Sequence, residues 1–264
     1  MIEYRIFKDG KRRVVTFSYD DGHANDVPLI ALLDKYGMKG TFNLNGRNYR
    51  TEEAILAARE RYKNHEIACH TLQHGWPGKM PPQSAVIETI EDRKLLEAVA
   101  GYPVCGMAYP SNSYSDAAIA ACVSCGIVYS RTTEATYGHA FPADWMKWHP
   151  SCHHRDAGKL VDNYVETLDS EWKNELFYIW GHSYEFDTPE KWNEFEEVLK
   201  KLAAHADRIW FATNMEIYRY REAQKALVIS ADETTFYNPT ATDVWVLRNK
   251  KDEIFVPTGQ TVRA

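Results

Sequence analysis

Val14-Val15-Thr16-Phe17-Ser18-Tyr19-Asp20-Asp21-Gly22 is the stretch that decides the fold. Residues 14–19 form an apolar run with strand-forming side chains, and an acidic pair and a glycine end it. Residues 27–36 then place four aliphatic side chains at helical spacing, and Gly37 stops that pattern. A buried strand, a turn and a helix are the basic unit of an α/β fold.

The same strand-helix unit recurs along the chain. Further strands are predicted at residues 40–44, 66–69, 104–109, 127–130, 176–180 and 209–212. Seven strands alternating with helices indicate a parallel sheet, and the candidate functional residues fall at the ends of several different strands. That distribution favours a closed barrel over an open doubly wound sheet. No glycine-rich phosphate loop follows the first strand, which argues against nucleotide binding.

The character of the chain changes near residue 226. Short β-type runs at residues 227–229, 243–247 and 254–256 are separated by turn residues, with no helix between them. Segments of under about forty residues rarely fold alone. We therefore predict a barrel over residues 1–225 and a small C-terminal β extension, residues 226–264, packed on it.

Composition narrows the class of partner. The chain has 264 residues, of which 44% are hydrophobic, enough for a substantial core. The formal net charge of −6 comes without a basic block, which disfavours nucleic acids and anionic membranes. No apolar stretch reaches the length of a membrane span, and the start lacks the apolar run of a signal peptide. These features predict a cytoplasmic protein, or a secreted one if a signal has been removed, and they leave the oligomeric state open.

Two motifs together predict a metal site. The pair Asp20-Asp21 ends the first strand, and His70 and His74 follow the third strand four positions apart. Alone, each motif has a simpler reading, as a turn or as a solvated helix face. Jointly they supply three metal ligands and a spare carboxylate, which leaves a coordination position open for water, as in catalytic zinc sites. One divalent ion is predicted, zinc first, with cobalt, nickel, iron and manganese as alternatives.

These motifs resemble those of the polysaccharide deacetylase family, also called the NodB homology domain or carbohydrate esterase family four. Residues 16–22 resemble the family's T-F-D-D-G motif, and residues 70–74 resemble its H-[ST]-x-x-H motif. The resemblance covers about residues 14–220 and implies a distorted (β/α)7 barrel. It further implies that Asp20 is the general base. The metal ligands that it implies are Asp21, His70 and His74.

A looser third motif lies at residues 107–111, where the family often has an R-P-P-Y type stretch. Ala108 replaces the arginine that braces the catalytic aspartate, so that brace has to come from elsewhere, or the aspartate's pKa is set differently. Tyr109 and Pro110 are expected to contact substrate. The backbone N–H near Ser111 is a candidate oxyanion donor, because that role needs no particular side chain.

The fourth and fifth motifs imply the acid. Asp144-Trp145 resembles the fourth, in which the aspartate partners the catalytic histidine and the tryptophan walls the acetyl pocket. Residues 179–182 resemble the fifth and make His182 the expected general acid; a histidine of the core is the alternative. Trp180 stands where a leucine is usual, which could narrow or shift the acyl pocket.

Aromatic and imidazole side chains crowd the irregular stretch of residues 145–154. Such a loop suits a sugar site, because sugar rings stack on aromatic faces, but its tryptophans could equally tuck into the barrel surface. A second metal on His153 and His154 is disfavoured, because adjacent side chains tend to point apart. His23, directly after the first motif, is expected to line the pocket.

The leading functional prediction is a metal-dependent hydrolase that removes an N-acetyl or O-acetyl group from a sugar, an oligosaccharide or a polysaccharide. The alternative keeps the metal chemistry on a non-sugar amide or a cyclic ureide. A third reading is a non-catalytic sugar-binding barrel, against which stands the full set of motif carboxylates and histidines.

Overall fold

A computed structural model describes residues 1–170 and 175–264. The strands, in chain order, are β1 (Ile2–Glu3), β2 (Arg13–Asp20), β3 (Gly40–Leu44), β4 (Glu66–Cys69), β5 (Gly106–Ala108), β6 (Tyr129–Arg131), β7 (Cys152–His153), β8 (Leu176–His182), β9 (Ile209–Phe211), β10 (Val228–Ile229), β11 (Thr235–Tyr237), β12 (Val244–Arg248), β13 (Asp252–Val256) and β14 (Thr261–Arg263).

Seven α-helices occur in the described residues: α1 (Asp26–Lys35), α2 (Glu52–Tyr62), α3 (Pro82–Ala100), α4 (Asp116–Ser124), α5 (Ala157–Glu166), α6 (Pro189–Ala203) and α7 (Asn214–Ala226). Hydroxyl side chains begin several of them. Thr51, Ser115, Thr188 and Thr213 each accept a hydrogen bond from a backbone N–H of the first turn of α2, α4, α6 or α7. These caps satisfy donors that a helix start otherwise leaves unpaired.

The main sheet has eight strands in the order β6-β5-β4-β3-β2-β8-β7, and β9 pairs with the start of β2. All of its pairings are parallel. The segment before β7 links the two ends of the sheet, because Trp148 forms a bridge with Arg131 while Cys152 pairs with Ile179 on β8. The structure confirms the predicted distorted (β/α)7 barrel, and its seven predicted strands lie within two residues of their expected bounds. The short β7 falls in the stretch that the sequence left irregular.

Both faces of β2 are buried, as expected for a parallel strand covered on both sides. Phe17 and Tyr19 belong to the core cluster under the helices, where both contact Phe195 of α6. The alternate residues face the barrel interior, where Thr16 donates a hydrogen bond to Asn214. The period of two along a strand therefore aims Asp20 into the barrel.

The C-terminal residues form two antiparallel sheets of three strands, β1-β12-β13 and β10-β11-β14. The first residues of the chain are part of this region, since β1 pairs with β12. The Tyr220 hydroxyl of α7 accepts a hydrogen bond from the Trp245 N–H at 3.0 Å, which ties β12 to the last helix. Strands β1, β11 and β14 were not predicted; the division into two units at residue 226 stays a prediction. No helix in the described part of the chain has the length and apolarity that crossing a membrane requires.

Candidate functional site

Strand register sets the centre of the site. Asp20, the last residue of β2, has Asn43 of β3 and His182 of β8 as its neighbours across the sheet. Asn43 Nδ2 donates to Asp20 Oδ1 at 2.8 Å, and His182 Nε2 lies 3.9 Å from Asp20 Oδ2. Parallel strands end at one edge, so three residues that are distant in sequence meet there.

Arg131 supplies the brace that Ala108 lacks. It ends β6 and is the direct register partner of Ala108 on β5. The cation therefore lies one strand away from the position where the family has its arginine. Its Nη2 donates to Asp20 Oδ2, and both side chains are buried. The guanidinium lies 4.4 Å from the ring centroid of Trp180, a cation–π contact. Trp180, where a leucine is usual, therefore packs on the relocated arginine.

These neighbours keep Asp20 charged. Burial alone would raise the pKa of its carboxyl, but the charges of Arg131, His70 and His182 outweigh burial and lower that pKa. An ionised carboxylate is the form that accepts a proton. Because one Asp20 oxygen accepts from Asn43 and the other from Arg131, the pair also fixes the orientation of the carboxylate.

Asp21, His70 and His74 bring their ligand atoms together. Asp21 Oδ1 lies 3.7 Å from His70 Nε2 and 3.5 Å from His74 Nε2, and all three atoms lie within 4.8 Å of one another. Asp21 and His74 have φ angles of 75° and 58°. These angles lie in the left-handed region, where residues other than glycine are uncommon. Uncommon backbone of this kind is frequent where a ligand set has to converge.

The surroundings of His70 fit a metal ion. Its Nδ1 lies 2.9 Å from the carbonyl oxygen of Ala108, which can only accept, so Nδ1 carries the proton. The lone pair of Nε2 is then left for the space shared with Asp21 and His74. Metal-binding histidines are held in this way, by a second ring nitrogen that donates to a fixed acceptor. Two imidazole nitrogens and a carboxylate oxygen suit zinc and its neighbours.

His182 has a carboxylate partner other than the expected one. Its Nδ1 lies 3.3 Å from Oε1 of Glu185, three residues later in a 3-10 turn. Burial of the imidazole would lower its pKa, but the Glu185 hydrogen bond and the charge of Asp20 raise it above its ordinary value. Asp144 is exposed, and its Oδ1 accepts from the Met146 N–H that begins another 3-10 turn.

Trp145 packs against the last helix. Its Nε1 donates to Glu222 of α7 at 3.0 Å, and its ring packs on Trp148. The first turn of α7 contacts Glu66, which begins β4, whereas the metal-ligand motif follows the end of β4. The side chains of Asp144 and Trp145 thus have hydrogen-bond partners other than His182, and their roles at the site stay predictions.

Of the other residues expected to contact substrate, some are buried and some are exposed. Tyr109 and Pro110 are buried, and the Tyr109 ring stacks on Tyr114. Ser111 is exposed and has a φ of 51° in the turn that follows β5. His23 is exposed at the rim, with its ring 5.8 Å from that of Tyr184. Trp180 is buried against the guanidinium of Arg131.

Four residues of the site were not predicted: Asn43, Arg131, Tyr184 and Glu185. Tyr184 is an exposed aromatic residue whose ring stacks on His182 at 5.0 Å. A signal existed for Glu185, since a carboxylate three positions after a histidine can meet it within one turn. No local signal marked Asn43 or Arg131, which reach Asp20 from other strands.

Comparison with known proteins supports the family resemblance. The family model described as "Polysaccharide deacetylase" matches residues 7–130. A bifunctional xylanase/deacetylase from Pseudobutyrivibrio xylanivorans is 30% identical over 64 residues, which are 24% of this chain and 11% of that protein. The aligned part is thus a small share of that relative.

Solved structures extend the match to most of the chain. A candidate polysaccharide deacetylase from Mycobacterium smegmatis has a TM-score of 0.63 at 18% identity, over 85% of this chain and 96% of that one. A family 4 acetyl xylan esterase from Clostridium thermocellum, solved with a cobalt ion, has a TM-score of 0.52 at 19% identity, over 78% and 90%. The predicted resemblance is thereby confirmed: residues 7–130 match the polysaccharide deacetylase family, and the chain has the fold of carbohydrate esterase family 4 deacetylases.

Proposed function

We propose that this protein is a metal-dependent deacetylase that hydrolyses an N-acetyl or O-acetyl group on a sugar, an oligosaccharide or a polysaccharide. The observation that carries the proposal is the convergence of three ligand atoms, from Asp21, His70 and His74, beside a braced carboxylate and a carboxylate-paired histidine. Hydrolysis of an acyl group requires those functions in one place.

Asp21, His70 and His74 would hold the ion. When bound there, a divalent ion supplies Lewis acidity, which polarises a carbonyl group and makes water more acidic. Asp20 is not assigned as a ligand, because both of its oxygens already accept hydrogen bonds.

Asp20 acts as the general base. Its carboxylate is ionised, fixed in orientation and buried, so it can take a proton from the attacking water without first losing a hydration shell. Arg131 and Asn43 hold it but leave it free to accept the proton. We expect this role to depend on the charge of Asp20 and not on its volume.

His182 acts as the general acid. Glu185 faces Nδ1, so the other ring nitrogen, Nε2, points towards Asp20 and the reacting group. A raised pKa keeps the imidazole protonated at higher pH, which suits a group that must deliver a proton to the leaving nitrogen or oxygen. The Ser111 N–H, in the turn after β5, is the proposed donor to the developing oxyanion.

Acetate release tests the proposal. Metal-loaded protein would be incubated with N-acetylglucosamine, its short oligomers and O-acetylated xylan fragments, beside a chelator-treated sample and the Asp20→Asn variant. Acetate formed only by the metal-loaded wild type is the expected result. Turnover that survives both the chelator and Asp20→Asn would contradict the assigned site.

One observation favours a second candidate, the hydrolysis of a non-sugar amide. The tryptophans expected to form a sugar-stacking wall pack elsewhere, since Trp148 is fully buried and Trp145 lies on α7. Two aromatic side chains named above contact His182, namely buried Trp180 and exposed Tyr184, and of these Tyr184 is open to solvent. If the metal-loaded protein releases no acetate from any sugar but hydrolyses simple N-formyl or N-acetyl amides, this second candidate replaces the first.

A further inference from the structure

A second group of two histidines and a carboxylate lies behind His182. Its members are His153, at the end of β7, His154, in the 3-10 turn that follows, and Glu185. His153 Nε2 lies 2.8 Å and His154 Nε2 lies 3.2 Å from the same oxygen, Oε2 of Glu185. By composition and spacing this Glu185 cluster has the ligand set of a metal site.

The ring of His153 is set for donation to Glu185. Its Nδ1 accepts a hydrogen bond from the backbone N–H of Arg155, at 3.4 Å. A backbone N–H can only donate, so Nδ1 has to be the unprotonated nitrogen, and the proton of the neutral ring sits on Nε2. That proton points to the carboxylate, where a metal ion would need a lone pair.

His154 reaches the same arrangement by a different route. Its Nδ1 is buried, with no hydrogen-bond partner among the described residues, so a proton there would be left unsatisfied. The nitrogen packs so closely on Gly181 that a Cβ atom at that position would lie 2.1 Å from it. Burial also lowers the pKa of His154, which keeps its ring neutral. A neutral ring without a proton on Nδ1 carries it on Nε2.

We propose that His153 and His154 are positioning residues whose Nε2–H groups clamp Oε2 of Glu185 through close contacts of 2.8 and 3.2 Å, which are not aligned as regular hydrogen bonds, and that the cluster binds no metal. The clamp leaves the other oxygen, Oε1, in front of His182 Nδ1. Burial alone would raise the pKa of the Glu185 carboxyl, but the three histidines around it lower that pKa far below its usual range. Glu185 therefore stays charged and fixed beside the imidazole that it orients.

Limited access does not keep a metal ion out. The cluster borders a cavity of about 570 Å³ between α5 and α6, lined also by Phe186, Phe195 and Val198. The Phe186 ring stacks on that of His154, with centroids 4.3 Å apart. Protonation of the ring nitrogens, and not enclosure, is what excludes the ion. The role towards His182 rests on the proposed function, whereas the proton positions do not.

Long-range ¹H–¹⁵N NMR of the full chain labelled with ¹⁵N-histidine tests the clamp directly. His153→Gln and His154→Gln identify the two signals by their loss; if either variant fails to fold, correlations from the Cβ atoms to the ring assign them. We expect both residues in the Nε2–H form, with shifts that saturating Zn²⁺ leaves unchanged, while the His70 signals move. A proton on Nδ1 of His153 or His154, or a zinc-induced shift of their Nε2, would overturn the proposal.

Activity separates a positioning role from a structural one. Gln can donate through its amide where His donates through Nε2, whereas Leu cannot, so each histidine is replaced by both residues. We expect His153→Leu and His154→Leu to lower kcat by about 10- to 100-fold at nearly constant KM, less than the 10²–10⁴ expected for loss of a proton-transfer group. The Gln variants should recover most of this, and His205→Gln, a control two residues after the end of α6, should change nothing.

Equal loss in the Leu and Gln variants, with unchanged thermal unfolding, would contradict donation through Nε2. If the wild type hydrolyses no tested substrate, the deacetylase proposal fails, while the NMR spectra still decide the clamp.

Discussion

The metal cluster (Asp21, His70 and His74) and the Glu185 cluster (His153, His154 and Glu185) have the same composition and opposite hydrogen-bonding environments. In the metal cluster, His70 Nδ1 meets a carbonyl oxygen, which accepts, so Nε2 is left as a lone pair. In the Glu185 cluster, His153 Nδ1 meets a backbone N–H, which donates, so Nε2 holds a proton. Exposure does not separate the clusters, because His70 is 1% and His74 32% exposed, while His153 is 9% and His154 6% exposed.

The difference shows that the hydrogen-bond partner of a histidine's Nδ1 decides whether its Nε2 can bind a metal ion. Both clusters bring two imidazoles and a carboxylate within 4.8 Å of one another, whereas one backbone atom behind a ring of each cluster decides between a lone pair and a proton. The same reasoning applies to carboxylates. Asp20 is buried and Glu185 is partly buried, and the charged or hydrogen-bonding side chains around each lower its pKa; Asp26, buried without a comparable cation, has a raised pKa.

Loss of a metal ligand should have the largest effect. We expect His74→Ala to lose the ion and to reduce acetate release to the level of chelator-treated wild type, because two ligands hold a divalent ion poorly. Metal content by elemental analysis and acetate release by a coupled assay measure both. His154→Gln is the matched control, since it alters a histidine of the other cluster and should keep the ion. Retained metal in His74→Ala would place the ion elsewhere.

Removal of the base comes next. Asp20→Asn keeps the shape of the side chain and removes its charge, so the ion should remain while kcat falls by about 10²–10⁴-fold. Metal content and kcat are measured on the same sample. A variant that lost its metal would show Asp20 to be a ligand, and one that kept its rate would remove it from the mechanism.

The sequence predicted the parts of this account that lie in short motifs. Asp20 ends β2 and Asp21 follows it, while His70 and His74 lie in the loop that begins where β4 ends, so the local pattern and the rule that parallel strands end at one edge were enough to predict that they meet. The prediction that the side chains of His153 and His154 point apart was wrong. Adjacent residues of one strand point apart, but β7 ends at His153 and a 3-10 turn begins at His154, and this change of backbone turns both rings towards Glu185.

The brace could not be predicted, because it depends on register. Nothing local distinguishes Arg131 from other arginines, and only the pairing of β5 with β6 shows that it stands beside Ala108. The Asp144 assignment has no such register behind it and stays a prediction. It followed a two-residue resemblance in a loop whose path is set by the packing of Trp145 on α7.

Disruption of the brace should have an intermediate effect. Arg131→Met leaves Asp20 buried without its cation, and loss of one partner of a buried pair costs about 3–5 kcal/mol. The Asp20 pKa is lowered in the folded wild type, so the pair stabilises the protein above the ordinary aspartate pKa, and this contribution is lost as pH falls. Denaturant unfolding at pH 8 and pH 4 should therefore show a larger deficit at pH 8.

The same variant should move the acidic limb of the pH–rate profile to higher pH, because Asp20 then binds a proton more readily. Arg131→Lys, which keeps the charge, is the control. Equal deficits at both pH values would show that Arg131 acts by packing on Trp180 alone.

The smallest effect is expected outside both clusters. Burial raises the pKa of Asp26 from 3.8 to about 6, and its Oδ2 accepts a hydrogen bond from the Tyr62 hydroxyl. The raised pKa means that the charged form is disfavoured in the folded state, so stability falls as pH rises from about 4 to about 6. Asp26→Asn should unfold at higher denaturant than wild type at pH 8, by up to about 3 kcal/mol, and nearly equally at pH 4. Metal content and kcat should not change, and a stability gain independent of pH would contradict the assignment.

Cobalt binding by the full chain tests the contrast between the two clusters most directly. Metal-free wild type, His74→Gln and the double variant His153→Gln/His154→Gln would be titrated with Co²⁺ and followed by visible absorption and equilibrium dialysis. We predict one equivalent in the wild type, one in the double variant and none bound tightly by His74→Gln. Two equivalents in the wild type, with one lost in the double variant, would contradict the account and make the Glu185 cluster a metal site.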